Sequence, residues 1–482
     1  MCDSVHHRRV AVIGGGISGL AAAFRLRELA AAARLPLEVA LFERGRCLGR
    51  ALSTLREGGF VMESGADSFL SAKPWALDLV RRLGLEAEMI GTRTESQRTH
   101  VVRDGRLMEI PAGFALLAPA RLTPMVRSRL FSIRGKLRMA IEPLIPPRRD
   151  SADESLASFV TRRVGREVLD RVAQPLAGGI YTGNPASLSL QATMPRFVEM
   201  ERRYGSLFRG LRAAGNGQPS ESGATTQARW TPLISFRRGM RTLVDALAAS
   251  LGDAVRTDAE VVELVRGAGG RGWRLRLEDG SEFAADALVL AAPAPAAARL
   301  LKPHASQLAG HLSAISYSSV ATVNLAYNES DCPRLPESYG FVVPIVERRK
   351  IVAATFSSRK FTQRAPGGKI LIRTFVGGAL QEEMMATDDE AKVAAVREEL
   401  RALLGITATP ILTWVRSWPE AMPQYIVGHL ARVAEIERES RKLPGLALAG
   451  AAYRGIGVPD CVHSGEQAAA AIFSDLTLNL AS

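Results

Sequence analysis

The sequence has little of what staples small folds or binds metals. Its four cysteines (Cys2, Cys47, Cys332, Cys461) form no C-x-x-C pair, which argues against a disulfide scaffold and a zinc ribbon and makes a reducing compartment the simplest expectation. The histidines (His6, His7, His100, His304, His311, His429, His463) show no metal-ligand spacing, so no metal site is expected. There is no G-x-S-x-G and no P-loop. The longest nearly uncharged apolar stretch, Ile110 to Ala120, has 11 residues, well short of the roughly 20 that span a bilayer. The opening MCDSVHHR runs straight into an apolar strand pattern without the parts of a signal peptide, so a cytoplasmic location is expected.

What is present suits a large enzyme. At about 150 residues per domain, 482 residues correspond to roughly three units. The net charge is +13, and it is concentrated: Arg121, Arg127, Arg129, Arg134, Lys136, Arg138, Arg148 and Arg149 face one acid, Glu142, which gives 8 − 1 = +7 within 121–149. Leu122, Met125, Val126, Leu130, Phe131, Leu137 and Met139 are interleaved with these charges. Basic and apolar residues mixed in this way predict reversible binding to an anionic membrane surface. No nucleic-acid-binding module accompanies the charge, so nucleic acid is not an expected partner.

Periodicity predicts a strand at Val10–Ile13, a helix to about Ala33 and a strand at Val39–Phe42 that ends at Glu43. From Pro74 to Arg212 the patterns are mostly helical, including Trp75–Leu83, Leu156–Gln174 and Phe197–Leu211, with a Pro-rich basic insertion at 117–149. Residues 212–229 lack apolar periodicity and predict a mobile loop. A helix is expected at Thr242–Leu251, a hairpin at Trp273–Ala285, and a buried strand at Ala287–Ala292. Short strand patterns at Ser319–Ala326, Ile351–Thr355 and Ile370–Phe375 predict a mixed or antiparallel sheet. An amphipathic helix at Glu390–Leu404 follows, then a strand at Leu446–Ala449, a Gly-rich loop and a helix from about Asp460 to Leu476.

The turn Gly14-Gly15-Gly16-Ile17-Ser18-Gly19 follows a strand, opens a helix and precedes a strand-terminal acid by 24 residues. Gly14 suits the tight turn, Gly16 close approach of a pyrophosphate, Gly19 close helix–strand packing, and Glu43 the ribose hydroxyls. The helix N-terminus offers N–H donors to phosphates. This spacing does not separate FAD from NAD.

Four further blocks resemble the flavin-containing amine oxidase superfamily and, within it, the porphyrinogen oxidases of heme biosynthesis. They are Glu63-Ser-Gly65-Ala66-Asp67-Ser68-Phe69, Gly179-Ile-Tyr-Thr-Gly183-Asn184-Pro185 with Leu188-Ser189, Trp418-Pro-Glu-Ala-Met-Pro423-Gln424-Tyr425 with Gly428-His429, and Gly450-Ala-Ala-Tyr453-Arg-Gly455-Ile-Gly457-Val458-Pro459-Asp460-Cys461. The resemblance runs from residue 9 to about 475. Two departures stand out: Cys47-Leu48-Gly49-Arg50 where the family usually has Arg and a diglycine, and Arg238 where a Gly is common. A contact from Arg46 or Arg50 to the pyrophosphate is one compensation for the first.

The resemblance implies an α/β fold with a discontinuous Rossmann-like FAD-binding domain (1–75, 230–300, 431–482), a helical, basic, membrane-associating region (76–229) and a mixed-sheet substrate domain (301–430). It implies one non-covalent FAD held by Gly14, Gly15, Gly16, Ile17, Ser18, Gly19, Glu43, Arg44, Gly49, Arg50, Gly65, Ala66, Asp67, Ser68, Val261, Trp418, Gly450, Val458, Pro459 and Asp460. It also implies an oxygen-dependent, six-electron oxidation of a porphyrinogen, with hydrogen peroxide as by-product and no residue marked as acid or base. By correspondence, the carbonyl of Gly179 faces the pyrrole N–H groups, Val342 and Phe361 wall the macrocycle, and Arg98 pairs with a propionate. Arg98 makes protoporphyrinogen IX, oxidised to protoporphyrin IX, the expected substrate; coproporphyrinogen III is the alternative, since the spacing around residues 24–75 also resembles enzymes that take it. A flavin-bearing tetrapyrrole carrier is the non-enzymatic alternative. Family analogy makes a homodimer a candidate state, and the basic region places the protein peripherally on the inner face of the cell membrane.

Overall fold

The computed structural model describes residues 8–115, 117–119, 123–215, 231–267, 269 and 272–478. Three stretches far apart in the sequence build one parallel sheet in the order Val255–Arg256, Leu37–Phe42, Arg8–Ile13, Ala287–Leu290, Leu446–Leu448. Near-continuous apolar strands of this kind need cover on both faces. On one face lie the helices Ile17–Ala33, Pro74–Arg82, Arg241–Leu251 and Val458–Leu478, whose buried Leu20, Leu26, Leu243 and Val462 meet Val10 and Val289. The other face carries the antiparallel strands Val261–Arg266, Trp273–Leu277 and Glu282–Ala285 together with Ala294–Leu301 and His429–Ser440. The first and last helices touch through Gly465, where an added Cβ would stand 2.1 Å from the Ser18 carbonyl oxygen.

A seven-stranded mixed sheet forms the second body, in the order Leu412–Pro423, Tyr317–Asn328, Lys369–Gly377, Ala353–Phe356, Gly340–Val342, Thr99–Arg103, Arg106–Glu109. All pairs are antiparallel except Gly340–Val342 with Thr99–Arg103. The helix Asp389–Leu404, capped by the Asp388 side chain, covers one face through Val396, Leu400 and Leu404.

The α/β architecture agrees with expectation; the mostly helical reading of 74–212 needs correction. Thr99–Arg103 and Arg106–Glu109 are strands of the second sheet, joined by Asp104-Gly105 with φ of 51° and 71°. Two positive φ values at an Asp-Gly pair are the signature of a tight hairpin turn. The expected helix Leu156–Gln174 breaks at Gly165 (φ 100°), and a π-helical turn at Leu169–Ala173 leads into Gln174–Tyr181. Phe197–Leu211 is likewise divided, with Gly205 (φ 65°) ending Pro195–Tyr204. Of the expected loop 212–229, residues 212–215 close the helix Leu207–Gly215, and 216–229 lie outside the described residues.

The basic region holds two short helices, Thr123–Arg127 and Ile133–Ala140. Four of the apolar residues expected at a membrane, Met125, Leu130, Phe131 and Met139, are buried in the helical core instead. Arg121 and Leu122 lie outside the described residues. Exposed are Val126, Ile133, Leu137, Ile141 and Leu144. Glu142, the region's only acid, is fully buried against Arg163 and accepts from the backbone N–H of Leu207 and the hydroxyl of Ser206. Among the described residues no helix is long and apolar enough to cross a membrane.

Candidate active site

The glycines of the first turn do three separate jobs. Gly14, at φ 113°, turns so tightly that a Cβ would stand 2.7 Å from the Ala291 carbonyl oxygen. At Gly19 an added Cβ would be 1.9 Å from the Gly14 carbonyl oxygen, so helix and turn meet backbone to backbone. Gly16 alone opens on space, with nothing within 4 Å of its Cβ position, and no side chain caps the helix Ile17–Ala33 that it begins. Uncapped N–H groups facing an open glycine fit a phosphate. Ser18 is buried and Ile17 half-buried beside it. Glu43 spans the turn, taking the N–H of Gly15 (2.7 Å) and of Gly45 (2.9 Å) on separate oxygens. Each oxygen keeps a lone pair for a hydroxyl.

The segment 45–50 folds over that turn, with the N–H of Gly49 on the Gly15 carbonyl at 2.8 Å. Arg50 takes φ 44°, a left-handed conformation that costs a non-glycine residue roughly 1–2 kcal/mol. Partial burial of its guanidinium and the neighbouring charge of Arg44 push its pKa down, while Tyr317 and Glu43 pull it up. Arg46, by contrast, reaches Asp258 at 3.7 Å in the open.

The loop 63–68 is bound to the second sheet and its connections through two carbonyls and one carboxylate. The Ser64 carbonyl accepts from Thr322 Oγ1 (2.8 Å) and Trp418 Nε1 (2.9 Å), and the Gly65 carbonyl from Arg373 (2.6 Å). Asp67 is surrounded by Lys360 Nζ at 3.0 Å from both its oxygens, Arg373 at 3.0 Å and the Ser68 hydroxyl at 2.7 Å. Its carboxylate is thus engaged by the protein. Burial alone raises its pKa, but the two cations outweigh that and hold it well below the usual range. Burial lowers the pKa of Lys360 against the pull of Asp67. Ala66 is half-buried in this loop. Neither Lys360 nor Arg373 stood out in the sequence, because the ion pairs span about 300 residues.

The C-terminal block returns to the same place. Gly450 (φ 133°) leads into the loop before Val458–Leu478, whose Val458 and Pro459 are buried. Asp460, in the first turn, pairs with Lys73 Nζ at 2.6 and 2.7 Å. Lys73 was also missed, since a lysine just before Pro74 reads as a surface charge. Asp460 in turn raises the phenol pKa of Tyr181, to about 12 after the larger effect of burial. Tyr181 ends the helix Gln174–Tyr181, which carries Gly179.

Of the residues expected at the substrate, Gly179 is exposed with nothing within 4 Å of its Cβ position, and Val342 lies on a strand packed against that helix. Phe361 is fully buried, with Lys360 Nζ and the Arg364 guanidinium each 5.2 Å from its ring. Arg98 is 61% exposed, 3.9 Å from Glu109. Val261 is buried in the three-stranded sheet. No cluster of three or more potential metal ligands occurs among the described residues.

Replacing Asp67 with Asn strands two buried cations, which typically costs about 3–5 kcal/mol and is read as a lower urea midpoint at neutral pH. Because the folded pKa of Asp67 is depressed, the unfolded chain takes up more protons near the ordinary aspartate value of about 4. Wild-type stability therefore falls as pH drops through that region, and Asp67→Asn lacks this part of the slope. An acid slope unchanged by the substitution contradicts the assignment.

With this geometry established, the relatives are informative. The family of flavin containing amine oxidoreductases matches residues 17–473. Coproporphyrinogen III oxidase of Bacillus subtilis (strain 168) is 35% identical over 97% of this chain and 98% of its own. Protoporphyrinogen oxidase of Bos taurus is 33% identical over 96% and 98%. A crystal structure from Exiguobacterium sp. 255-15, of a protein assigned to protoporphyrinogen oxidation, superposes with a TM-score of 0.85 at 29% identity over 98% of this chain and 99% of that one. The chain belongs to the flavin-containing amine oxidoreductases and is an FAD-dependent oxidoreductase of the porphyrinogen oxidase type.

Proposed function

We propose that this chain oxidises coproporphyrinogen III to coproporphyrin III. The observation that carries the reading is the placement of open Gly179 in the last turn of its helix, with Val342 on the strand packed against it, in a chain whose relatives at 35% and 33% identity include enzymes named for this substrate. Bound FAD supplies the redox chemistry: six electrons leave the macrocycle in three two-electron steps, oxygen is the terminal acceptor and hydrogen peroxide the by-product. The protein's share is placement. Gly14, Gly16 and the first helix would hold phosphates, Glu43 would hold a ribose, and the loop 63–68 and the residues before Val458 would line the flavin ring. The missing side chain at Gly179 would let the macrocycle approach the backbone, with Val342 behind it. Arg98 stands outside, able to meet a carboxylate of either porphyrinogen.

Aerobic mixing with each porphyrinogen, followed by porphyrin fluorescence, tests the reading. Coproporphyrinogen III is expected to give the larger kcat/KM; a preference for protoporphyrinogen IX overturns the substrate, and no product from either overturns the enzyme. If Arg98 holds a carboxylate, Arg98→Ala loses a charged hydrogen bond of roughly 1.5–3 kcal/mol, or about 10- to 150-fold in kcat/KM, with FAD content unchanged. The loss should be smaller on coproporphyrinogen III, whose four carboxylates offer substitutes.

The same reading includes a peripheral place on an anionic membrane. Val126, Ile133, Leu137, Ile141 and Leu144 stand exposed amid Arg127, Arg129, Arg134 and Lys136. At about 1 kcal/mol per basic residue near such a surface, a few engaged together suffice for reversible binding. Flotation with anionic liposomes should be strong at low salt and weak at high salt; equal flotation with neutral vesicles contradicts it.

A further inference from the structure

The motif at Pro423–His429 has no part in the account so far, yet it lies where the substrate helix and the cofactor's last loop meet. Gln424 is 6% exposed and Tyr425 1%. Neighbouring side chains of an extended segment point to opposite sides, and these two reach into different halves of the site.

Gln424 serves the substrate side. Its Nε2 donates toward the Tyr181 carbonyl (3.0 Å), Ser318 Oγ (2.9 Å) and the Met422 carbonyl (3.1 Å). Tyr181 ends the helix that carries Gly179, and the next residue, Thr182, turns left-handed at φ 50° with its hydroxyl 2.6 Å from Ser318 Oγ. Tyr425 serves the cofactor side. Its hydroxyl donates to the Ala451 carbonyl (2.6 Å) and accepts from the N–H of Gly455 (2.8 Å), so one phenol closes the loop 450–457 that leads into the last helix. Behind it His429 stacks at 4.0 Å, with Nε2 2.8 Å from the Tyr453 carbonyl. A carbonyl only accepts, so this nitrogen carries the proton.

We infer that Gln424 and Tyr425 are positioning residues that fix the distance between Gly179 and the loop 450–457. Neither is a catalytic residue, since each acts through backbone groups of other segments. A displacement of about 1 Å between reacting partners can cost on the order of 100-fold in rate, so a rigid tie between these segments bears on the redox step itself. The inference rests on the porphyrinogen reading for its kinetics and on the fold alone for its structural readout.

The test uses the FAD-loaded enzyme with two near-isosteric changes. Gln424→Met removes the donors and keeps the length; Tyr425→Phe removes the hydroxyl and keeps the ring on His429. Three quantities are measured: the anaerobic rate of flavin reduction by saturating porphyrinogen, the rate of reoxidation by oxygen, and backbone hydrogen exchange. Both variants should retain FAD, slow reduction by about 10-fold or more, and leave reoxidation within about twofold. Exchange should rise at 178–182 for Gln424→Met and at 450–457 for Tyr425→Phe. Reduction at the wild-type rate, or equal slowing of both half-reactions with loss of FAD, overturns the inference. Tyr425→Phe, the milder change, decides alone if Gln424→Met does not fold. A wild-type enzyme that neither porphyrinogen reduces refutes the substrate reading, and the exchange data then still decide whether the two residues tie these segments.

Discussion

A buried carboxylate that must not lose its partners governs the junction of the two sheets. Asp67 sits in the loop after the strand Phe60–Glu63, while Lys360 and Arg373 come from the second sheet and its connections. Buried ions tolerate little displacement, because removing either partner exposes the full desolvation penalty. The loop is therefore held at fixed height over the sheet, with the carbonyls of Ser64 and Gly65 also bound to Thr322, Trp418 and Arg373. The placement of residues 63–68 against the second sheet follows from this tie, while the Lys73–Asp460 pair joins the start of the helix Pro74–Arg82 to that of Val458–Leu478 on one face of the parallel sheet.

Local chemistry was readable from the sequence, and long-range pairing was not. The first turn could be understood from three glycines because each reports a backbone demand: positive φ at Gly14, contact at Gly19, space at Gly16. The mixed sheet is legible as short β-branched runs, but two of its strands lie in a stretch whose patterns are mostly helical, although Asp104-Gly105 carries a hairpin signal. Lys73, Lys360 and Arg373 were invisible, since a lone cation has the same appearance whether it is solvated or paired with an acid hundreds of residues away. Burial was equally hidden in the basic region, where Met125 and Phe131 serve the core and Ile133 and Leu144 face solvent.

Arg50 shows how a departure from the family pattern is absorbed. The chain keeps the left-handed backbone that a glycine would take easily, with its guanidinium close enough to the charge of Arg44 to feel it, in the segment that folds over the Gly14–Gly19 turn. Two like charges held together favour an anion between them. Resemblance marked the position as unusual; the dihedral angle and the neighbouring charge explain how it fits.

The resemblance marks no protein acid or base for the reaction, and the redox chemistry of a bound flavin asks for none. Burial lowers the pKa values of His100, His429 and His463, and raises those of the Tyr181 phenol and the Cys461 thiol to about 12. On the proposed reading, catalysis rests on placement of the macrocycle against the cofactor. The rate of anaerobic flavin reduction at saturating porphyrinogen, followed from about pH 7 to about pH 9, tests this most directly. The account predicts a rate constant flat within about twofold over that range; a titration step or a bell within it would show a protein acid or base at work and contradict the account.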